Sequence, residues 1–373
     1  MPEREQGGLD IFLAAPPGLE PALAEEARAA GFAEVAPVAG GVTLRGGWPE
    51  VWRANLQLRG AARVLVRVGA FRALHLAQLD KRARKVPWGE ILRRDVPVKV
   101  EASCHASRIY HDRAAAQRVA HAIAEELGAP VDARADLRVL VRIEDDLCTL
   151  SVDSSGTPLH RRGHKEAVGK APLRETLAAL FLRQCGFDGC EPVVDPMCGA
   201  GTLVIEAAEI AAGLAPGRSR GFAFEKLAGF DQAAWEEMRQ AGGTRRPDAC
   251  FHGSDRDDGA IRAATANAAR AGVEDFTRFE RMAVSARTAP AGPPGLVMVN
   301  PPYGGRIGNR KMLHALYNAL GTTLQDGFSG WRVGLVTSEA GLARATGLPF
   351  AAPGPPVAHG GLKVRLWQTG PLA

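Results

Sequence analysis

Over 373 residues the chain carries 46 Lys and Arg against 41 Asp and Glu, a formal net charge of +5. With 46% hydrophobic and 23% charged residues it reads as an ordinary soluble globular protein, long enough for two cores. No apolar run reaches the length of a membrane span and MPEREQGGLD is no secretory signal, so membrane and exported classes are excluded and a cytoplasmic location is expected.

In chain order, LDIFLAAP reads as a strand, PGLEPALAEEARAAGF as a helix closed by Gly31, GGVTLRG as a strand, WPEVWRANLQLR as a helix and RVLVRVGAF as a strand. A basic connection leads to the strand PVKVEASC, the helix RAAAQRVAHAIAEELG and two strands flanking the acidic turn EDD. This α+β first part, residues 1–158, has no Gly-rich loop and suits a binding module. Residues 159–373 alternate instead: helix PLRETLAALFLRQCG, strand PVVD, helix, a long insertion, strand FHGSD, helix, strand FERMAV. Strand LVMVN, helix MLHALYNALGTTL, strand RVGLVTSE and a last LKVRLWQTG follow. Such alternation predicts a parallel sheet with helices on both faces, an α/β domain.

Cys104, Cys148, Cys185, Cys190, Cys198 and Cys250 form no C-x-x-C pair, so neither zinc nor any other metal is expected, and reduced thiols are. Between Lys81 and Arg118 ten Lys and Arg face four acids, starting with Lys81, Arg82, Arg84 and Lys85. Trp88, His105, Tyr110 and His111 lie in the same stretch, and aromatic rings among cations suit a nucleic-acid surface slightly better than a merely solvated face.

PVVDPMCGAGTLVIEAA sets an acid, Asp195, at the end of a short apolar strand. Pro196, Met197, Cys198, Gly199 and Gly201 turn the chain into a helix starting near Thr202. The glycines permit close ligand approach, and the helix N-terminus offers free N–H groups. A third glycine is missing for a dinucleotide fingerprint, where Val204 stands, and a lysine is missing for an ATP loop. S-adenosylmethionine fits better: its carboxylate meets the helix N-terminus, its ammonium meets Asp195, and Asp255 in FHGSD takes the ribose hydroxyls.

VMVNPPYGGR then ends a buried strand in Asn300, Pro301, Pro302 and Tyr303. An aromatic exocyclic amine is a poor nucleophile because its lone pair is delocalised into the ring. Two acceptors, the Asn300 side-chain carbonyl and the Pro301 backbone carbonyl, can grip both N–H bonds and aim the lone pair at a methyl donor. Pro302 stiffens the turn, and Tyr303 gives a displaced base a stacking face worth about 1–3 kcal/mol.

HRRGHKEAVGKAPLRETLAA, DPMCGAGTLVIEAA, FHGSD and NPPYGGRIG together resemble the THUMP-domain RNA guanine-N2 methyltransferases of bacteria, closest to the large-subunit rRNA members. The resemblance covers nearly the whole chain. It implies a ferredoxin-like plus THUMP RNA-binding region ahead of a Rossmann-like, S-adenosylmethionine-dependent methyltransferase domain. It further implies that Pro172, Leu173, Glu175 and Thr176 fold over the cofactor. Arg161, Arg162, His164 and Lys165 are implied to lie near RNA phosphates, with rRNA ahead of tRNA as partner. Many relatives place an Asp after the third strand for the adenine amine, where this chain has Ala283 with Ser285 as a weak substitute. Some also carry a second methyltransferase domain, an activity expected here to reside elsewhere. A DNA amino-methyltransferase, a protein-glutamine N-methyltransferase and a noncatalytic RNA-binding protein are the alternatives.

Overall fold

The computed structural model describes residues 8–166, 173–304 and 310–373. The chain forms two compact units. The first holds the strand up to Ala15, then Ala24–Leu159 and Arg220–Ala241; the second holds Pro16–Leu23, His160–Ser219 and Gly242–Ala373.

The first unit is built on β1 (Leu9–Ala14), α1 (Glu20–Ala29), β2 (Ala36–Val38), β3 (Gly41–Gly46), α2 (Trp48–Gln57) and β4 (Arg63–Arg72). It continues through α3 (Leu76–Ala83), β5 (Val98–His105), α4 (Asp112–Leu127), β6 (Leu137–Glu144) and β7 (Leu147–Asp153). The seven strands make one sheet in the order β2-β3-β1-β4-β7-β6-β5, antiparallel except where β5 runs with β6. Burial alternates along β6, as expected of strands with one packed face. Asp145 and Asp146, both at positive φ (49° and 62°), make the two-residue turn from β6 to β7, a conformation that short polar side chains tolerate. At the far end of β7, fully buried Asp153 accepts from Arg63 at 2.5 Å and Arg138 at 2.6 Å. Asn55 on α2 donates to Ser154 at 2.9 Å and accepts from Ser155 at 2.6 Å, docking the helix onto that corner.

Besides the short β2, two helices escape the sequence reading here. The basic connection contains helix α3, which buries only Leu79 and Ala83 and so shows little periodicity. The insertion beyond Ser219 contains α7 (Gln232–Gln240), and Arg220–Ala241 packs into the first unit although it lies within 159–373 of the sequence. The reason is its aromatic content. Phe224 and Phe230 sit 6.2 and 5.8 Å from Trp52, and Trp235 meets Phe224 edge-on at 4.9 Å.

The second unit comprises α5 (Glu175–Gln184), β8 (Val193–Asp195), α6 (Thr202–Ala211), β9 (Phe251–Asp255), α8 (Asp258–Ala271), β10 (Thr277–Arg281) and β11 (Leu296–Val299). α9 (Arg310–Gly327), β12 (Arg332–Thr337), α10 (Ala340–Ala345), β13 (Val357–His359) and β14 (Leu362–Gln368) complete it. Its sheet runs β10-β9-β8-β11-β12-β14-β13, with the first five strands parallel. β11 is buried at every residue because helices cover both faces. On one side Tyr317, Leu320, Leu324 and Phe328 of α9 and its end pack on Val297, Val299 and Leu335. Chain order reverses between β8 and β11, so their carboxyl ends flank a crevice at the topological switch point, where such sheets bind ligands.

Candidate active site

β8 delivers Asp195 to that crevice at 2% exposure. Its Oδ1 accepts the Met197 amide at 3.0 Å. Burial, reinforced by the nearby Asp255 charge and only partly offset by the Met197 bond, pushes the Asp195 carboxyl up to about 8. Pro196 and Cys198 are buried and Met197 and Gly199 partly so. The Cys198 thiol is held well above its ordinary value by burial and is inert. Its amide donates to Ser254 on β9 at 2.9 Å, stitching the loop to the next strand. Gly199 and Gly201 take φ of 52° and 85°. A Cβ on Gly201 would lie 3.1 Å from both Ala264 and Ile205, whereas one on Gly199 would meet nothing within 4 Å. The loop is therefore closed on the helix side and open at Gly199. α6 starts at Thr202 directly after Gly201. Asp255 ends β9; its Oδ2 accepts from the Gly199 amide at 3.1 Å and its Oδ1 from Asp257 at 2.9 Å. Each oxygen keeps a lone pair for a hydroxyl donor.

The basic string before α5 behaves differently from its sequence reading. Arg162 is 2% exposed and pairs with Glu206 of α6 at 3.1 Å. His164 is buried, its Nδ1 3.7 Å from Glu209 and without a hydrogen bond. Burial lowers its pKa despite Glu209, so at neutral pH the contact is not an ion pair. Lys165 donates to Thr202 Oγ1 at 2.7 Å and pairs with Glu175 at 3.0 Å. Arg162, His164 and Lys165 are thus turned into the unit, Arg162 and His164 toward the buried Glu206 and Glu209 of α6 and Lys165 toward the buried Glu175 at the start of α5. Arg161 alone of the four is exposed. Leu173, Glu175 and Thr176 are buried, at 3%, 7% and 3%. Pro172 lies outside the described residues.

β11 ends at Val299, and Asn300 follows it out of the sheet. Asn300 Oδ1 is buried without a hydrogen-bond partner, a state that costs about 1–3 kcal/mol. Pro301 is buried, and Pro302 and Tyr303 are half-buried. Tyr303 rests on the α9 core, and burial raises its phenol to about 12, so it stays neutral. One residue that the sequence reading passed over belongs here. Glu339, two residues beyond β12, accepts the Gly304 amide on Oε1 at 3.1 Å. The signal was present in RVGLVTSE, a third apolar strand running into an acid as PVVD and FHGSD do. Ala283 and Ser285 are exposed just past β10, with no carboxylate in place of the missing acid at 283.

In the first unit Lys81, Arg82 and Lys85 are exposed. Arg84 instead pairs with Asp80 at 2.9 Å, with Glu126 at 3.1 Å and with Glu125. Trp88 is 2% exposed and donates its indole N–H to Ala83 at 2.9 Å, which removes it as a stacking surface. Tyr110 is 71% exposed and lies against His111 at 4.2 Å. Among the described residues no helix is long and apolar enough to cross a membrane, and no group of three or more His, Cys, Asp or Glu could hold a metal ion.

Comparison with known proteins bears on this geometry. Residues 162–349 match the family model described as RMKL-like, methyltransferase domain. The chain belongs to that family. Ahead of this domain, residues 10–65 match an RlmL ferredoxin-like domain and residues 75–153 a THUMP domain, the order the sequence resemblance implies. A ribosomal RNA large subunit methyltransferase K/L of Syntrophotalea carbinolica is 40% identical over 91% of this chain and 50% of its own length. The chain spans about half the length of the curated relatives it matches. Among solved structures, a methylase of Clostridium difficile 630 is 28% identical with a TM-score of 0.89, covering 98% of this chain and 99% of that one. The SMU.472 methyltransferase complexed with SAH is 24% identical with a TM-score of 0.90, over 99% and 100% of the two chains. These likenesses establish the Rossmann-like methyltransferase fold of the second unit and the ferredoxin-like and THUMP make-up of the first.

Proposed function

We propose that this chain transfers a methyl group from S-adenosylmethionine to the exocyclic N2 amine of a guanosine in large-subunit ribosomal RNA. The observation that carries the reading is Asn300 Oδ1, a buried acceptor without a partner at the end of β11, beside the strand that ends in Asp195. An orphan acceptor is costly to keep, and an amine N–H is the group that would relieve it.

The residues fit the cofactor. Asp195, buried without a cation partner among the described residues, is suited to the ammonium group. The α6 N-terminus, entered through left-handed Gly201, is suited to the carboxylate. Asp255 keeps lone pairs for the ribose hydroxyls, and the open space at Gly199 leaves room for close approach. When bound, S-adenosylmethionine supplies an electrophilic sulfonium methyl. Asn300 Oδ1 and the Pro301 carbonyl hold the two amine hydrogens and turn the nitrogen lone pair outward. Pro302 keeps that carbonyl fixed, and Tyr303 stacks on the displaced base. Orientation of this kind can supply roughly 7–11 kcal/mol of the barrier. The neutral Tyr303 phenol does not act as a base, and the proton leaves to water after transfer. Ribosomal RNA is favoured over transfer RNA by the names of the curated relatives, and Lys81, Arg82, Lys85 and Tyr110 are the exposed groups suited to its phosphates and bases.

The test is mass spectrometry of nucleosides from the rRNA and tRNA of a strain lacking this chain. Loss of N2-methylguanosine from rRNA, restored by the wild-type chain and not by Asn300→Ala, is expected. Loss confined to tRNA would move the substrate, and unchanged N2-methylguanosine in both pools would refute guanine-N2 transfer.

A further inference from the structure

β11 and β12 are parallel neighbours with Val299 opposite Leu335, so the segments that leave their carboxyl ends, Asn300–Gly304 and Ser338–Glu339, emerge side by side. Glu339 Oε1 accepts the amide of Gly304, the residue after Tyr303, at 3.1 Å. The fully buried Tyr317 donates its hydroxyl to Thr337, the last residue of β12, at 3.2 Å. Glu339 is half-buried, and among the described residues it has no Lys or Arg partner and its Oε2 has no hydrogen-bond donor. An ionised carboxylate is an acceptor only, and one backbone amide leaves most of that capacity unused.

We propose that Glu339 accepts the N1–H of the target guanine and thereby selects guanine over adenine. The inference rests on the guanine-N2 reading above. Asn300 and Pro301 grip two hydrogens of an exocyclic amine, and adenine offers such an amine as readily as guanine. What separates the two bases is the neighbouring ring nitrogen. Guanine N1 carries a hydrogen, whereas adenine N1 carries a lone pair that a carboxylate repels. A carboxylate next to the amine-gripping pair therefore admits one base and rejects the other, and a site built around such a bond discriminates far better than an apolar one. The charge-assisted bond also returns electron density from N1 toward N2, strengthening the nucleophile.

The experiment uses the full chain and two RNA fragments spanning the guanosine that nucleoside mapping identifies. One fragment carries guanosine at that position. The other carries 2-aminopurine, which keeps the 2-amine and lacks the N1 hydrogen. Glu339→Ala is expected to lower kcat/KM on the guanosine fragment by about 30–100-fold more than on the 2-aminopurine fragment, whose N1 lone pair the carboxylate repels. Glu339→Gln, which still accepts the Gly304 amide, should show the same selective loss in milder form. Equal losses on both fragments would overturn the proposal and leave Glu339 as a support of the loop. A wild-type chain inert on the guanosine fragment would instead remove the guanine-N2 reading itself.

Discussion

The two seven-stranded sheets dispose of polar side chains in opposite ways. In the first, mostly antiparallel, buried and less buried residues alternate along β6 and most of β4, and charged groups such as Arg63, Arg138 and Asp153 neutralise one another. In the second, the central parallel strands β8, β11 and β12 are apolar inside, and polar residues stand at or just past the carboxyl ends as Asp195, Asp255 of the neighbouring β9, Asn300 and, past Thr337, Glu339. Where strands are uniformly apolar, the residue that breaks the run is conspicuous. Where they alternate, none is. The same contrast holds for the cations. Lys81, Arg82 and Lys85 of the first unit face solvent, while Arg162 and Lys165 of the second are spent on buried acids.

The sharpest way to break the contrast is Arg162→Ala. It removes a cation partner of the buried Glu206 and should cost about 3–5 kcal/mol of stability, read by denaturant unfolding, with the salt dependence of RNA binding unchanged. A stable variant with a shallower salt slope would return Arg162 to the RNA surface.

Asn300→Ala is expected to lower kcat by about 100–1,000-fold, the usual effect of removing one preorganised polar contact to a reacting group. Because the wild-type acceptor is an unsatisfied one, the melting temperature should hold or rise. A fall in cofactor affinity measured by calorimetry would instead place Asn300 in the cofactor site.

Asp195 supplies a pH test. Its folded pKa, near 8, lies above the ordinary carboxyl value of 3.8. The folded protein therefore holds more protons than the unfolded chain between these values, and stability falls as pH rises toward 8. His160, lowered by burial to about 4, has the opposite effect, stability rising with pH, but only below its ordinary value of 6.5. The melting temperature of the ligand-free wild type should thus decline from pH 6.5 to 8, and Asp195→Asn should flatten that decline. An identical slope in both proteins would mean Asp195 is ionised throughout. Cofactor affinity should rise over the same window, since the carboxylate must be charged to hold an ammonium.

The smallest effect belongs to the first unit. Reversing Lys81 and Lys85 to Glu should weaken RNA binding several-fold and reduce the slope of log affinity against log salt by about 0.7–0.9 for each phosphate no longer neutralised. Arg84→Ala, already paired to three acids, should leave that slope alone.

How much of this was legible in the sequence follows from the same physics. The glycine loop and the Asn-Pro-Pro-Tyr turn stood out because they end short apolar runs, and the structure brings both to one crevice. Glu339 was overlooked because a lone acid at a strand end carries no motif, and its bond to Gly304 spans the whole of α9 in sequence. The basic string from Arg161 to Lys165 read as a surface because nothing local reveals that Glu206 and Glu209 of α6 are buried beneath it. Helix α3 was hidden by its small apolar face, and the attachment of Arg220–Ala241 to the first unit by its distance in sequence from Trp52.

That attachment has a consequence for how the protein can be divided. Neither unit is one continuous piece of chain, since Pro16–Leu23 belongs to the second and Arg220–Ala241 to the first. A gene cut at the covalent midpoint between the sheets would strip Phe224, Phe230 and Trp235 from the aromatic cluster around Trp52 and leave that core without a wall. Excision of either half, or its exchange for that of a relative, has to carry the strayed segment along. The order of synthesis is constrained as well: the first unit cannot finish folding on the ribosome until roughly two-thirds of the chain has emerged, by which time β8 and the glycine loop are already made.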